Sequence, residues 1–275
     1  MNGPHRIDTA DDPRVDVYRD VRDRDLRGRE GLFMAESEMV VRRLLRTPER
    51  LQSIFLSPPR LEAMRDVLHD MPDAVAVYTA PLDVMTAIAG FHIHRGVLAA
   101  GLRPAASSLV PEQLMDALPA EGPCLVVAAQ GMTNVDNMGG LFRLAAAFGA
   151  HGVLLDSTCC DPLYRKAIRV SMGHTLSTPM AVTADLADTL QALRSRGLGV
   201  WAAESAPQSV PLNSAPPPAR AVIVLGNEGH GLSDDVMRVA ETVVEIPMAD
   251  GVPSLNVTSA ASVVLWERAR ALAVT

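Results

Sequence analysis

The second half of the chain alternates continuous apolar runs with segments of helical periodicity. Continuous apolar runs are typical of parallel strands that are buried on both faces. On this basis strands are predicted at 124–129, 153–155, 199–203, 221–225 and 242–246. Helices are predicted at 140–148, 163–170, 184–196, 233–240 and 255–271. This alternation of strands and helices predicts an α/β domain built on a parallel sheet.

A shorter alternation occupies the first part of the chain. Strands are predicted at 53–56, 74–78 and 97–100, and helices at 58–68, at 82–89 and from Ser37 onward. Prolines then cluster, as expected of a linker with at most one short helix. The pattern therefore predicts a smaller α/β domain over 13–103, a linker over 104–122 and a larger α/β domain over 123–275.

The composition favours a globular cytoplasmic protein. Hydrophobic residues make up 48% of the 275 positions, and no apolar run approaches the roughly 18 residues that a membrane span needs. The charged N-terminus contains no apolar signal-peptide segment. Cys124, Cys159 and Cys160 lack the spacing of metal ligands, and we expect them to be reduced thiols. His92 and His94 are too few to bind a metal, so no metal site is predicted.

The net charge of −7 argues against nonspecific binding of nucleic acid. The charge is uneven, because residues 1–110 carry 15 Arg against 16 Asp and Glu, whereas residues 111–275 carry 10 Lys and Arg against 16. Within the acidic part, Arg165, Lys166 and Arg169 share one helical face. That face is either solvated or a local phosphate-binding patch, and a local patch is sufficient for contact with RNA.

Three loops of the larger domain follow predicted strands and contain small or polar residues. Ligands of parallel sheets bind beyond the carboxyl ends of the strands, so these loops are the candidate positions for chemistry. One of them, Gly226-Asn-Glu-Gly-His-Gly231, places Glu228 among three glycines. Its glycine spacing differs from the dinucleotide-binding fingerprint, which argues against an oxidoreductase. The loop alone is equally compatible with a tight turn that leads into a helix.

The other two loops each lead into a helix. In the first, Asn137 and Arg143 are six positions apart near a predicted helix start. In the second, Ser254 and Asn256 lie at the start of the long apolar helix 255–271. Small polar residues at a helix start either cap its free N–H groups or bind a ligand. Taken singly, each loop therefore has a purely structural interpretation.

Taken together, in this order and spacing, the three loops resemble the motifs of the SpoU-type RNA ribose 2′-O-methyltransferases of the SPOUT superfamily, over about residues 123–273. The matching segments are Asn137-x-Gly139-x-x-x-Arg143, Leu225-Gly-Asn-Glu-Gly-x-Gly-Leu232, Ile246-Pro-Met248 and Ser254-Leu-Asn-Val257. One difference is visible. Many relatives carry Asp-Pro shortly before the first asparagine, where this chain has Asn134-Val135.

The resemblance implies a fold and an assembly. It implies a deep trefoil knot in the larger domain, which would be a rare exception to unknotted chains. It also implies a homodimer with the active site near the subunit interface. The smaller domain is similar to the ribosomal-protein-like α/β/α substrate-binding domain often fused to these enzymes, on the segments Gly31-Leu-Phe-Met-Ala-Glu36 and His94-Arg-Gly-Val-Leu-Ala99. The apolar stripe of helix 255–271 either packs on its own sheet or contributes to the dimer.

The resemblance also implies an activity and a set of site residues. The expected reaction is transfer of a methyl group from S-adenosylmethionine to a ribose 2′-hydroxyl of ribosomal or transfer RNA, without a metal. The residues expected to hold the cofactor are Leu225, Gly226, Ile246, Met248 and Leu255. The expected catalytic residues are Arg143, Asn137, Glu228, Ser254 and Asn256, and the expected RNA contacts are Arg165, Lys166 and Arg169.

Two alternatives stay open at this point. The family proposal makes Arg143 a general base, but arginine is effectively always protonated. We therefore favour a phosphate clamp that also activates the hydroxyl electrostatically. The second alternative is a noncatalytic RNA-binding protein that keeps the fold, although such a protein has no need of Glu228 or Asn256. The sequence does not identify the target nucleotide.

Overall fold

The structure is a computed structural model that describes residues 3–19, 31–69, 71–227, 229–252 and 254–273. The chain divides into two compact units. The first comprises Met1–Pro104 with Pro162–Ser177, and the second comprises Ala105–Asp161 with Thr178–Thr275. The segment Pro162–Ser177 thus groups with the first unit, although it lies inside the larger of the two predicted domains. The predicted domains 13–103 and 123–275 concern parts that fold independently, and in that sense their limits stay predictions.

Strands and helices alternate along most of the described chain. The strands are β1 (His5–Arg6), β2 (Leu32–Glu36), β3 (Leu51–Leu56), β4 (Ala76–Thr79), β5 (Val97–Leu102), β6 (Cys124–Ala129), β7 (Gly152–Asp156), β8 (Met180–Thr183), β9 (Gly199–Ala203), β10 (Val210–Pro211), β11 (Arg220–Leu225) and β12 (Thr242–Glu245). The α-helices are α1 (Glu38–Leu44), α2 (Pro58–Ala63), α3 (Arg65–Leu68), α4 (Leu82–Ala89), α5 (Pro111–Asp116), α6 (Val135–Ala147), α7 (Arg165–Val170), α8 (Leu186–Ser195), α9 (Asp234–Val239) and α10 (Val257–Ala273).

The second unit contains a seven-stranded sheet in the order β10-β12-β9-β11-β6-β7-β8. Every neighbouring pair in it is parallel, which confirms the predicted α/β fold with a parallel sheet. All of β6 and nearly all of β11 are buried, as their continuous apolar runs predict. Leu190 of α8 and Val236 of α9 pack in one core with Val126 and Val224 of these strands. The trefoil knot stays a prediction.

Parallel strands bring the loops of the second unit to one edge of the sheet. The adjacent strands β12, β9 and β11 end at that edge. The residues that follow them are Ile246, Glu204 and Gly226. Segments that are far apart in the sequence therefore become neighbours at the carboxyl edge, where ligands of such sheets bind.

Helix α10 packs its apolar stripe inside the second unit, against α6 and β9. The buried residues of the stripe are Val257, Ala261, Val264 and Leu265. Arg268 is buried in the same stripe and donates a hydrogen bond to the carbonyl oxygen of Cys124 at 3.1 Å. Burial lowers the pKa of the Arg268 guanidinium. Of the two interpretations of the stripe, packing on its own unit is confirmed.

The first unit contains a mixed sheet in the order β1-β4-β3-β5-β2. Strand β5 is antiparallel to both of its neighbours, and the remaining pairs are parallel. Tyr18 is buried in its core, where the phenol and the Ser53 hydroxyl share a hydrogen bond of 2.9 Å, and burial raises the pKa of Tyr18. Helix α7 packs against β2.

Several elements differ from the sequence-based prediction. No strand is predicted at β2 or β8; β8 exposes alternate residues, so it lacks the continuous apolar run used as the criterion. Helix α6 begins at Val135 instead of 140. The helix predicted over 58–68 is interrupted at Met64 and forms α2 and α3. No helix of the described chain is long and apolar enough to cross a membrane.

Candidate active site

A cavity of about 310 Å³ opens at the carboxyl edge of the parallel sheet. Its lining includes Ile246, Met248, Ser254 and Leu255, four residues that the sequence analysis assigns to the site. The segment between β12 and α10 supplies all four. The structure therefore brings three predicted cofactor-binding residues and one predicted catalytic residue to one cavity.

The loop after β11 forms a closed turn. The backbone groups of Asn227 and Gly231 bond each other, with N–H to oxygen distances of 3.2 and 2.8 Å. Gly226 lies so close to the returning chain that an added Cβ would be 2.5 Å from the carbonyl carbon of Gly231. A side chain at position 226 would therefore force the turn open. Leu225 is buried at the end of β11, and Glu228 lies outside the described residues.

The first and third motifs are joined by a hydrogen bond between two amides. The Nδ2 of Asn256 donates to the Oδ1 of Asn137 at 3.0 Å. The Oδ1 of Asn256 accepts the backbone N–H of Thr258 at 3.0 Å, and so caps α10. Asn137 is only 6% exposed. A buried amide needs its partners, so this pair fixes the start of α10 relative to α6.

The visible sequence difference from many relatives has a local explanation. Asn134 caps α6, since its side-chain oxygen accepts the N–H groups of Asp136 and Asn137 at 2.8 and 3.3 Å. The helix therefore starts without the Asp-Pro of those relatives. Gly140 lets α6 approach α10 closely, because an added Cβ would lie 2.8 Å from the Cγ2 of Thr258.

Arg143 lies on α6 with its side chain exposed. Across the described ranges, no hydrogen bond or ion pair of Arg143 is observed, and Arg143 does not line the cavity. Its guanidinium is therefore available to a ligand outside the cavity, such as a phosphate or a hydroxyl.

The predicted RNA contacts Arg165, Lys166 and Arg169 lie on α7, which belongs to the first unit. The Nη1 of Arg165 is 3.4 Å from the Oε2 of Glu36, and its guanidinium lies 4.0 Å from the centre of the Phe91 ring. Arg169 is more exposed and lies 3.7 Å from the same Glu36 oxygen. The three cations share a helix, as predicted, and of the two arginines Arg165 is the less exposed and the closer to Glu36.

Sequence reasoning missed two residues of the site. Glu204 lines the cavity, and its Oε2 accepts the N–H of Leu232 at 2.9 Å. Asn227 donates from Nδ2 to the carbonyl oxygen of Gly131 at 2.6 Å and accepts the N–H of Gly229 at 2.7 Å. Glu204 directly follows a predicted strand. The rule that ligands bind at strand ends could therefore have identified it.

The cysteines are poor nucleophiles at this edge. Burial raises the pKa of the Cys159 thiol to about 12, with Asp156 adding to the shift, and burial raises that of Cys160 to about 11. Both thiols are therefore protonated at neutral pH, whereas a reactive cysteine needs its thiolate form.

A second cavity, of about 230 Å³, lies in the first unit, and none of the predicted site residues lines it.

Comparisons with known proteins agree with this geometry. The sequence model of the SpoU rRNA Methylase family matches residues 124–266. The chain is 36% identical over 270 residues to an uncharacterised tRNA/rRNA methyltransferase of Mycobacterium bovis, and the match covers 94% of this chain and 90% of that protein.

Solved structures share the fold. The AdoMet-bound rRNA methyltransferase of Sinorhizobium meliloti matches with a TM-score of 0.78 at 23% identity, over 97% of this chain and 98% of that one. An RNA 2′-O ribose methyltransferase matches with a TM-score of 0.76 at 22% identity, over 98% and 99%. The match over half of the chain to the family model, and the relative that spans nearly all of it, show that the chain belongs to the SpoU rRNA Methylase family, a family of RNA methyltransferases.

Proposed function

We propose that the protein transfers a methyl group from S-adenosylmethionine to a ribose 2′-hydroxyl of ribosomal or transfer RNA. The observation that carries the proposal is the hydrogen bond between Asn256 and Asn137, which are 119 positions apart. It joins the helix that bears Arg143 to the segment that lines the cavity with Ser254 and Leu255. Such a connection is what a methyltransferase needs to align a cofactor with an acceptor.

The cavity fits S-adenosylmethionine in its chemistry. Ile246, Met248 and Leu255 offer aliphatic surface for an adenine ring. Glu204 and Glu245 supply carboxylates at the same cavity, which suit a ligand with hydroxyl groups and positive charge. When bound, S-adenosylmethionine supplies an activated methyl group on a sulfonium. The chain itself binds and orients the cofactor, and Gly226, a further expected contact, lies in the closed turn after β11, which pairs with β9.

Arg143 acts on the RNA in this proposal. Its exposed guanidinium binds a phosphate next to the acceptor ribose and stabilises negative charge on the 2′-oxygen as the hydroxyl proton is lost to water. Asn137 lies on α6 and accepts the hydrogen bond of Asn256, which caps α10, so this bond orients α6 and α10 relative to each other. Because arginine as a residue type is a very poor base, the proposed role of Arg143 is that of an electrostatic clamp and not of a base.

The first unit selects the RNA in this proposal. Its sequence is rich in arginine, and on α7 the exposed Lys166 and Arg169 are the candidate phosphate contacts, whereas Arg165 lies against Phe91 and Glu36. Phosphate contacts by such residues give affinity and a strong dependence on salt. The ribose 2′-hydroxyl that receives the methyl group distinguishes RNA from DNA.

The protein is also proposed to be a homodimer. Val263 and Trp266 of α10 are 40% and 60% exposed, and their spacing places them on one face of the helix. An exposed tryptophan beside an exposed valine suits a contact with a second copy, in agreement with the homodimer that the family resemblance implies. Light scattering at micromolar concentration tests this, since a mass near the 29.4 kDa of one chain would contradict it.

The experiment that tests the activity also separates it from the noncatalytic alternative. The protein is incubated with labelled S-adenosylmethionine and with separate ribosomal and transfer RNA fractions that lack the modification. The RNA is then digested to nucleosides, which are separated by chromatography. A ribose-methylated nucleoside is the expected product. Label in a methylated base would contradict the 2′-hydroxyl as acceptor, and binding of RNA without any transfer would favour the noncatalytic protein.

A further inference from the structure

The sheet holds the backbone of Glu204 in place, and the carboxylate of Glu204 lies between the turn after β11 and the cavity. It follows β9 directly, and its backbone N–H donates to the carbonyl oxygen of Val244 in β12 at 3.1 Å. The residue therefore sits between two strands at the carboxyl edge. From this position its side chain contacts the turn after β11 and also lines the cavity of about 310 Å³.

The carboxylate holds the returning arm of the glycine turn. Its Oε2 accepts the N–H of Leu232 at 2.9 Å. It also lies against Gly231, where an added Cβ would be 2.6 Å from Oε2 and 3.1 Å from Oε1. Gly231 has a φ of +66°, a left-handed conformation that favours glycine. The last glycine of the motif is thus required both by its backbone conformation and by the carboxylate packed on it.

The Glu204 carboxylate also places a negative charge in the wall of the cavity. Among the described residues, neither Glu204 nor any other lining residue of the cavity forms an ion pair, and the lining contains two glutamates and no cationic side chain. Glu245 is the second glutamate, and it accepts a hydrogen bond from the Ser205 hydroxyl at 3.3 Å. The cavity wall is therefore negative, and no cation of the described part of the chain pairs with either glutamate.

We infer that Glu204 is a positioning and specificity-determining residue for the cofactor. It shapes the turn from Gly226 to Leu232 through the Leu232 N–H, and its charge favours the cationic S-adenosylmethionine over the neutral S-adenosylhomocysteine that remains after transfer. This inference rests on the proposed function. In methyl transfer the acceptor oxygen forms a bond to the methyl carbon with its own electron pair and loses its proton to water. The carbon–sulfur bond breaks, its electron pair stays on sulfur, and the sulfonium becomes an uncharged thioether.

The loss of that charge gives the inference its physical basis. A carboxylate near a ligand binds the cationic form more tightly than a neutral form of similar shape, by an amount set by distance and local dielectric. The hydrogen bond to Leu232, in contrast, supports the turn for both forms of the ligand. The two roles of Glu204 can therefore be separated by a substitution that keeps the acceptor and removes the charge.

Glu204→Gln is that substitution, and Glu204→Ala removes both the acceptor and the charge. Calorimetric titration of the full chain with S-adenosylmethionine and with S-adenosylhomocysteine measures the effect, and thermal unfolding reports on the fold. Glu204→Gln is expected to bind S-adenosylmethionine about 5-fold more weakly and S-adenosylhomocysteine within about 2-fold of wild type, because only the Coulomb attraction is lost. Glu204→Ala is expected to weaken both ligands, because the turn loses its support.

The control is Glu121→Gln, a neutralisation of an exposed glutamate in the loop before β6, which is expected to leave both affinities unchanged. Equal weakening of the two ligands by Glu204→Gln would reduce Glu204 to a structural role and overturn the inference, as would wild-type affinities in Glu204→Ala. A wild-type protein that binds neither ligand would overturn the proposed function itself. The two failures are therefore distinguishable.

Discussion

Two helices carry the arginines expected to contact RNA, and they differ in how those arginines are held. On α7, Arg165 lies against the Phe91 ring and within 3.4 Å of a Glu36 oxygen, and its side chain is 24% exposed. On α6, Arg143 is exposed and has no hydrogen-bond or ion-pair partner in the described ranges. One guanidinium is fixed by its own protein, whereas the other is available to a ligand.

This difference in contacts indicates different roles for Arg165 and Arg143. A guanidinium that already pairs with a carboxylate adds little net charge for a phosphate, because the pair must be broken or shared. An arginine without a partner keeps its full charge and its five donors for the substrate. We therefore propose that Arg165 acts mainly in folding and Arg143 in the reaction, whereas the sequence analysis expects RNA contact from Arg165 and catalysis from Arg143. The following predictions would break or sharpen that distinction.

The largest effect is expected at Arg143. Arg143→Ala is expected to lower the rate of methyl transfer by about 100-fold or more, the loss typical of removing one charge-stabilising donor from a reaction centre. Arg143→Lys is expected to recover little, since lysine lacks the planar fork that binds a phosphate with two hydrogen bonds. The measurement is single-turnover transfer to cognate RNA. A rate near that of wild type in the alanine variant would show that the assignment is wrong.

An intermediate effect is expected at the amide pair. Asn256→Ala removes the cap of α10 and the donor to Asn137, and it is expected to lower the free energy of unfolding by about 1–2 kcal/mol. Asn256→Asp keeps a capping oxygen but places a carboxylate beside the Asn137 oxygen, so it separates the two losses. Both variants are expected to raise the KM for S-adenosylmethionine. A normal KM in Asn256→Asp would mean that the cap alone matters.

A smaller effect is expected on RNA affinity at α7. Arg169 has a side chain that is 53% exposed, so Arg169→Ala is expected to weaken RNA binding by about 3- to 10-fold and to reduce the salt dependence by about one phosphate contact. Arg165→Ala is the matched comparison. It is expected to act mainly on thermal stability, because it loses the Phe91 and Glu36 contacts. The reverse pattern in filter binding and thermal unfolding would contradict the distinction between the less exposed and the more exposed arginine of α7.

The smallest effect is expected at Cys159. Because burial raises the pKa of its thiol from an ordinary value of 9.0 to about 12, the folded protein keeps this thiol neutral, and alkylation at about pH 8 is expected to be much slower than in the unfolded chain. The raised pKa also means that its contribution to stability is complete below pH 9.0 and is lost as the pH rises toward 12. Cys159→Ser is expected to retain transfer within about 2-fold of wild type. Loss of transfer in that variant would favour a catalytic thiol.

Much of the fold of the second unit follows from the sequence because its strands are buried on both faces. The runs at 124–129, 199–203 and 221–225 predict β6, β9 and β11 nearly residue for residue. Edge strands are harder to predict, since β8 has an exposed side and β10 is only two residues long. Burial on both faces therefore marks the elements that a pattern of hydrophobic residues detects.

The candidate site is predictable in its motifs but not in its contacts. The sequence identified Asn137 and Asn256 as polar residues at helix starts, but not the hydrogen bond between them, because chain folding alone brings them together. It also missed Glu204, whose importance depends on the distant Leu232. The grouping of Pro162–Ser177 with the first unit has the same origin, since α7 packs on a strand more than 100 residues earlier.

The central claim is that the cavity holds the cofactor while Arg143 acts on RNA alone. The most direct test is calorimetric titration of Arg143→Ala with S-adenosylmethionine, in the same preparation used for the transfer assay. The account predicts an affinity within about 2-fold of wild type, since Arg143 does not line the cavity. An affinity weakened by about 10-fold or more, in parallel with the loss of transfer, would place Arg143 in cofactor binding and contradict the account.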